Sequence, residues 1–314
     1  MKDKKQEKNF RDAGEVDHNK VKEFFENKGY EVLEIHQIWR HIHGRLKKDN
    51  QIFFFKLSST KDIGERTANE VAWNNQMQKI LVENRIDYFS VPKVFETGNM
   101  DDNFYYIGEY FGGKLLGTKE PRNLTGLDNW LEKIAKANIF LSGIKEMNLP
   151  RDKGKIPAIE QWDDYFKKIK EWYDIADNPT LEPLLNKVEE LKTTYHRGLS
   201  HADFAPWHMI ANGDSFVLID AEHATTLWPR YYDVAHFYHR TYTSADSPEM
   251  AKKYLNVVKE LLPEERRKTF DEEFLPILAT RIVGGFFELK ISKKKFDDKY
   301  HQMLKEDFLN DNLY

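Results

Sequence analysis

Leu199-Ser-His-Ala-Asp-Phe-Ala-Pro-Trp-His208, continued by Val217-Leu-Ile-Asp-Ala-Glu222, places His201, Asp203, His208, Asp220 and Glu222 between positions 201 and 222. Met209-Ile-Ala is a short apolar run, Asn212-Gly213 is a strong two-residue hairpin signal, and Phe216-Val-Leu-Ile reads as a buried strand. With Asn212 and Gly213 as the turn, the pairing sets Asp220 opposite Ala205. Asp203 and His208 then lie two or three residues away along the ladder, roughly 7–10 Å at the strand rise. One hairpin end thus gathers two carboxylates and an imidazole. Carboxylates with no Lys or Arg beside them in sequence suit a divalent-metal and phosphate site. One takes a proton from a hydroxyl nucleophile, and the other holds Mg²⁺ against the transferred phosphoryl group.

His201-Ala-Asp203-Phe-Ala-Pro206-Trp-His208 and Leu218-Ile-Asp220-Ala-Glu222 resemble the catalytic and metal-binding motifs of the aminoglycoside phosphotransferase and choline kinase family. The resemblance implies an α+β, protein-kinase-like, bilobal fold with an antiparallel-sheet N-lobe and a mainly helical C-lobe. It implies ATP, with GTP as the alternative, bound with Mg²⁺ between the lobes. The γ-phosphate would pass to a hydroxyl of an amino-sugar, sugar or amino-alcohol. Asp203 would orient or deprotonate that hydroxyl, and Asp220 would hold Mg²⁺. His208 stands where the family usually has Asn and would serve as the second metal ligand, since neutral imidazole binds divalent ions that accept nitrogen donors. His201 would brace the catalytic loop. Two other readings stand beside this one. One is a kinase-like nucleotide-binding protein without turnover. The other is a metal-dependent phosphohydrolase built on His196, His201, Asp203, His208, Asp220 and His223.

The 314 residues suffice for two domains or one bilobal unit, and 40% hydrophobic with 32% charged residues suits a globular chain. A net charge of −4 gives no basic surface for nucleic acid. With Cys at 0, disulfides, thiolate nucleophiles and Cys-ligated zinc are excluded. No apolar run is long enough to span a bilayer, and the charged start is followed by no signal-peptide core, so a cytoplasmic protein with no membrane partner is expected. The pattern does not give an oligomeric state.

Residues 1–15 read as a flexible tail, 16–111 as the nucleotide-binding lobe and 112–314 as the catalytic and acceptor-binding lobe. Val21, Phe24 and Phe25 have helical spacing that Gly29 stops. Tyr30–His36, Ile38–Leu46 and Gln51–Leu57 read as strands, with a turn at Lys48-Asp-Asn50. Lys56 lies in the most apolar of them. It is either a solvent-facing strand lysine or, as the resemblance implies, the lysine that contacts the nucleotide phosphates. The pattern predicts a helix over 64–83 with Glu70, Trp73, Met77 and Ile80 on one stripe. A charge on an apolar face asks for a partner. Lys56–Glu70 supplies one, with Glu65 as the competing partner.

No glycine-rich loop joins the first two strands, and Arg40 and His41 there read as exposed polar residues. Val91–Gly98 and Phe104–Phe111 read as two further strands before a Gly112-Gly113 hinge. The resemblance implies that main chain at Glu109 and Phe111 meets adenine. A helical run follows from Leu127 to Ile144, and another from Ile156 to Leu191 carries Asp163 and Asp164 without an assigned acceptor role. Asp233 is expected to cap the helix that follows it, and His236 and His239 to be satisfied within the fold. Ser247–Leu261, Pro263–Lys290 and Lys295–Leu309 complete the helical set.

Overall fold

A computed structural model describes residues 12–292 and 298–314. The tail expected over 1–15 therefore lies, for 1–11, outside the described residues, as does the expected helix start at 295–297. Helix His18–Asn27 begins where the Asp17 carboxylate accepts from the Asn19 N–H at 2.9 Å, and it ends ahead of Gly29 at φ +81°. Strands Glu31–Ile38, His41–Lys48 and Gln51–Ser58 follow in antiparallel order. Asn103–Glu109 and Val94–Met100 then complete a five-stranded sheet. The turn between the second and third strands puts Asp49 and Asn50 at φ +49° and +62°, a conformation that short Asx side chains tolerate.

The period of two decides what each face of the sheet does. Ile42, Leu46, Phe55, Leu57 and Ile107 point to the first helix and bury against its Val21 and Phe25. Each such side chain contributes roughly 1.5–3 kcal/mol when fully buried. The alternate residues His43, Phe54, Lys56 and Tyr106 face the opposite way, into a cleft. Helix Lys61–Glu83 closes that side. It starts at Lys61, ahead of the expected 64, because Thr60 caps it, its hydroxyl accepting from the Ile63 N–H at 3.3 Å. Glu70, Trp73 and Met77 are buried on its inner side as the stripe predicts, and Ile80 is half-buried.

Beyond Gly112-Gly113 the chain is mainly helical: Leu131–Leu141, Trp162–Ala176, Glu182–Glu189, Tyr232–Thr243, Pro248–Leu261, Glu264–Ile291 and Lys299–Leu309. These share a second, larger core that also receives Trp73 and Met77 from the N-terminal half. The expected single run over 156–191 is broken. Asp177 turns left-handed at φ +51°, and Pro179 two residues later cannot continue a helix. After the glycine pair, residues 114–116 run alongside Met209–Asn212: the Leu116 N–H donates to the Met209 carbonyl and the Ala211 N–H to the Lys114 carbonyl, each at 2.8 Å. Gly113 is required here, since a Cβ would stand 2.1 Å from the Ala211 carbonyl oxygen. Among the described residues no helix is long and apolar enough to cross a membrane.

Candidate active site

Strands Met209–Asn212 and Ser215–Leu218 form the expected hairpin with a different register. Asn212 pairs with Ser215 and Met209 with Leu218, so the turn is Gly213-Asp214 rather than Asn212-Gly213. Of these residues only Gly213 takes a positive φ, +60°; Asn212 stays in the strand. The two-residue shift moves Asp220 away from Ala205 and level with the 207–208 turn. The Ile219 N–H accordingly donates to the His208 carbonyl at 3.0 Å.

Asp203, His208 and Asp220 converge. One donor atom from each lies within 4.8 Å of the others, the one such triad of ligating side chains among the described residues. His208 Nδ1 donates to the Asp203 carbonyl at 2.7 Å, because a carbonyl can only accept. That fixes the tautomer and leaves the Nε2 lone pair facing Asp220 Oδ2 at 3.5 Å. The donor set, two carboxylates and one imidazole nitrogen, fits a divalent ion that completes its shell with phosphate oxygens and water. The wider histidine set proposed for a phosphohydrolase is not gathered. His196 lies near Glu273 at 3.3 Å, and His223 is held among Arg40, Arg66 and Arg151.

Lys56 Nζ donates to Glu70 Oε2 at 2.7 Å and to Asp220 Oδ1 at 2.6 Å, joining the sheet, the long helix and the hairpin end. Tyr106, beside Lys56 in the sheet, donates to Glu70 Oε1 at 3.1 Å. Glu65 is not the partner. Burial opposes the Lys56 ammonium, but Asp220, Glu70 and Glu222 outweigh it and hold its pKa well above the ordinary lysine value. Because both side chains of the Lys56–Glu70 pair are under a twentieth exposed, Lys56→Met should cost about 3 kcal/mol by stranding a buried carboxylate. Lys56→Met/Glu70→Leu should recover part of it. Urea denaturation of the two variants checks this, and a single variant as stable as wild type would refute it.

The lysine opens into a cavity of about 300 Å³ whose apolar walls include Phe54, Pro92, Phe111, Ile210 and Ile219. Glu109 also lines it, and its N–H donates to the Lys93 carbonyl at 2.8 Å. Main-chain donation to a ligand is thereby left to the residues after Glu109.

The loop carrying Asp203 is strained and braced. Ala202 and Asp220 take φ +69° and +67°, positions that cost a non-glycine residue about 1–3 kcal/mol. Asp233 accepts from the His201 N–H at 2.6 Å and the Ala202 N–H at 2.9 Å. Asp233 therefore secures the loop that carries Asp203 instead of capping its own helix, whose N-cap residue Tyr231 makes no side-chain cap. Burial pushes its carboxyl up to about 7 against those two N–H bonds. His201 accepts the Asp203 N–H on Nδ1 at 3.3 Å and donates from Nε2 to the Ile219 carbonyl at 3.0 Å, bracing both ends of the hairpin. Burial keeps it neutral with a pKa of about 4.

Further expectations are corrected here. Arg40 and His41 are buried, not exposed. Arg40 is ion-paired with Glu222, and His41 Nε2 lies 3.5 Å from the other Glu222 oxygen. Glu222 thus draws the first hairpin of the sheet onto the segment after Asp220. His239, expected to be satisfied within the fold, has neither ring nitrogen hydrogen-bonded among the described residues, whereas His236 is satisfied within the fold on one nitrogen, as expected. The His236 Nε2 donates to Asp203 Oδ1 at 3.1 Å, while its Nδ1 has no partner among the described residues. The signal was available, since Asp233 and His236 are one helical turn apart and so share a face. Burial would raise the Asp203 carboxyl, but His208, His236 and Arg240 hold it well below the usual carboxylate range. Losing the His236 N–H should raise that pKa, because a hydrogen bond that favours the ionised carboxylate is lost. Activity that needs the carboxylate then fails at higher pH. The acid limb of kcat should move upward in His236→Leu and less in His236→Gln, which keeps a donor. An unshifted limb in His236→Leu would remove His236 from this role.

The sequence matches the model of the phosphotransferase enzyme family over residues 45–268. No curated protein sequence matches the chain significantly. Among solved structures, the aminoglycoside phosphotransferase APH(4)-Ia in complex with ADP and hygromycin B superposes with a TM-score of 0.61 at 14% identity, over 92% of this chain and 98% of that one. A GDP complex of an aminoglycoside 2'-phosphotransferase-IIIa mutant gives 0.61 at 14% identity, over 94% and 97%. A putative aminoglycoside phosphotransferase from Ralstonia eutropha gives 0.56 at 11% identity, over 95% and 97%. At these identities the likeness establishes the kinase-like fold.

Proposed function

The chain belongs to the phosphotransferase enzyme family, and from that premise we propose that it moves the γ-phosphoryl group of ATP to a hydroxyl of a small sugar, amino-sugar or amino-alcohol. The observation that carries this reading is the convergence of Asp203, His208 and Asp220 beside the buried Lys56–Glu70 pair. Structural relatives solved with ADP or GDP support a nucleotide in the cleft between residues 16–111 and 112–314.

In this reading main chain around Glu109 and Phe111 meets the base, and Lys56, held by Glu70, contacts the phosphates. Asp220 and His208 would hold Mg²⁺, which supplies charge neutralisation on the phosphoryl oxygens. Asp203 orients the acceptor hydroxyl. As the acceptor oxygen bonds to the γ-phosphorus, the bond to the β–γ bridging oxygen breaks and Asp203 takes the hydroxyl proton. A carboxylate with so low a pKa is a weak base, which suits a loose transition state in which proton loss comes late. Positioning and electrostatics then supply most of the rate.

Calorimetry with MgATP and MgGTP on the full chain tests the reading. Micromolar, Mg²⁺-dependent binding of either nucleotide is the expected result. No binding of either at any Mg²⁺ or Mn²⁺ concentration would end it.

A further inference from the structure

A second cavity, of about 380 Å³, opens between the ends of helices Tyr232–Thr243 and Glu264–Ile291 and the residues around Lys119. Arg240 lines it one helical turn beyond His236, the residue bonded to Asp203. Lys119 and Arg240 both lie within electrostatic reach of Asp203, and the lining carries three cations, Lys119, Arg122 and Arg240, against two carboxylates, Glu120 and Glu288. Lys119 Nζ stands 4.1 Å over the Trp207 ring and forms no ion pair with a described residue. Arg122 is also in the lining, already neutralised by Asp246. The lining carboxylates are Glu120 and Glu288, and Glu288 accepts from Arg240 at 3.3 Å.

One turn deeper than the lining residue Gly285 on the same helix, Arg281 is 8% exposed. Its Nη1 donates to the Tyr232 hydroxyl at 3.2 Å, while Nε and Nη2 have no hydrogen-bond partner among the described residues. A buried guanidinium with unbonded donors adds positive charge and hydrogen-bonding capacity that an anion nearby would satisfy. A polycationic amino-sugar would bring its ammonium groups against Lys119, Arg240 and Arg281, with Glu120 as the one lining carboxylate outside an ion pair. An acceptor carrying a carboxylate or phosphate would find opposite charge there.

We infer that the acceptor of this enzyme is a hydroxylated small molecule bearing an anionic group, which Lys119 and Arg240 hold within reach of Asp203, with the buried Arg281 adding positive charge behind the lining. The inference rests on the phosphotransferase reading and narrows it. Crowding by the cleft walls, then the Arg240 charge, draws the Lys119 amine below the ordinary lysine value, and bound anionic charge would relieve that opposition.

The test follows ADP release and phosphorylated product from the full chain with MgATP. The acceptors are gluconate and a hexose phosphate (anionic), glucose (neutral), and kanamycin and hygromycin B (cationic). The expected result is a kcat/KM at least about tenfold higher for an anionic acceptor than for glucose, with the cationic compounds lowest. Lys119→Glu should raise KM for that acceptor at least about tenfold, and Lys119→Arg should restore it. If MgATP binds but cationic acceptors win, or no anionic acceptor exceeds glucose, the inference falls and the phosphotransferase reading stands. An anion preference that Lys119→Glu leaves untouched overturns the assigned site. Absence of nucleotide binding removes the parent reading, and this one with it.

Discussion

Asp220→Ala is expected to lower kcat by at least about 10³-fold and to abolish the Mg²⁺ dependence of nucleotide binding. The carboxylate stands at the end of strand Ser215–Leu218 at φ +67°, with Oδ1 on Lys56 at 2.6 Å and Oδ2 facing His208 Nε2 at 3.5 Å. Burial opposes its ionisation, but the Lys56 charge keeps its pKa below the ordinary aspartate value, so it is a carboxylate at any working pH. Its removal leaves His208 as the one assigned protein ligand, too few to hold a divalent ion against water. Lys56 keeps Glu70 and its positive charge, so residual Mg²⁺-independent ATP binding should survive. Calorimetry with and without Mg²⁺ separates the two effects. Asp220→Gly separates strain from chemistry, because glycine accepts the left-handed backbone while lacking the ligand. It should be inactive yet at least as stable as Asp220→Ala. An alanine variant that binds MgATP with wild-type affinity would remove Asp220 from the metal site.

What was legible in the sequence follows physical range. The sheet strands could be read because alternation is local: Phe53, Phe55 and Leu57 bury while Phe54 and Lys56 face the cleft. Lys56–Glu70 was legible for a related reason. A charge inside an apolar strand and another on an apolar helix stripe each demanded a partner, and only 14 positions separate them. The hairpin existed as expected, but its register turned on which of two adjacent pairs makes the bend. Asn212-Gly213 and Gly213-Asp214 are both competent turn sequences, and the choice is made by tertiary contacts such as Ala211 N–H to Lys114.

The contacts that sequence reading did not find are those whose partners are distant. Arg40 reaches Glu222 across 182 positions, and nothing near Arg40 in the chain hints at it. His236 reaches Asp203 across 33, and its buried helix face reads equally well as packing. Asp233 was expected to serve its own helix, the local solution, whereas its oxygens serve the loop at 201–202. Local rules found the groups that converge on this site and missed most of the groups that hold them still.

Asp203→Asn isolates the chemistry from its support. The substitution should lower kcat by about 10²–10⁴-fold, the range for a single proton-accepting side chain, while the nucleotide Kd stays at its wild-type value. Folding should survive because the loop is held by neighbours rather than by the Asp203 carboxylate: Asp233 grips the His201 and Ala202 N–H groups, and His201 takes the Asp203 N–H on Nδ1. The amide oxygen can still accept from His236 Nε2. The amide nitrogen then faces the acceptor and presents donors to a hydroxyl that must itself give up a proton, so geometry is kept and function lost. Because His236 acts through Asp203, adding His236→Leu to Asp203→Asn should lower kcat little further, and the acid limb of the pH profile should vanish in both backgrounds. Single-turnover rates and thermal unfolding of the two variants decide the matter. An asparagine variant that keeps more than about a tenth of wild-type kcat would mean that the proton leaves by another route. Additive losses in the double variant would mean that His236 meets the acceptor itself rather than tuning the carboxylate.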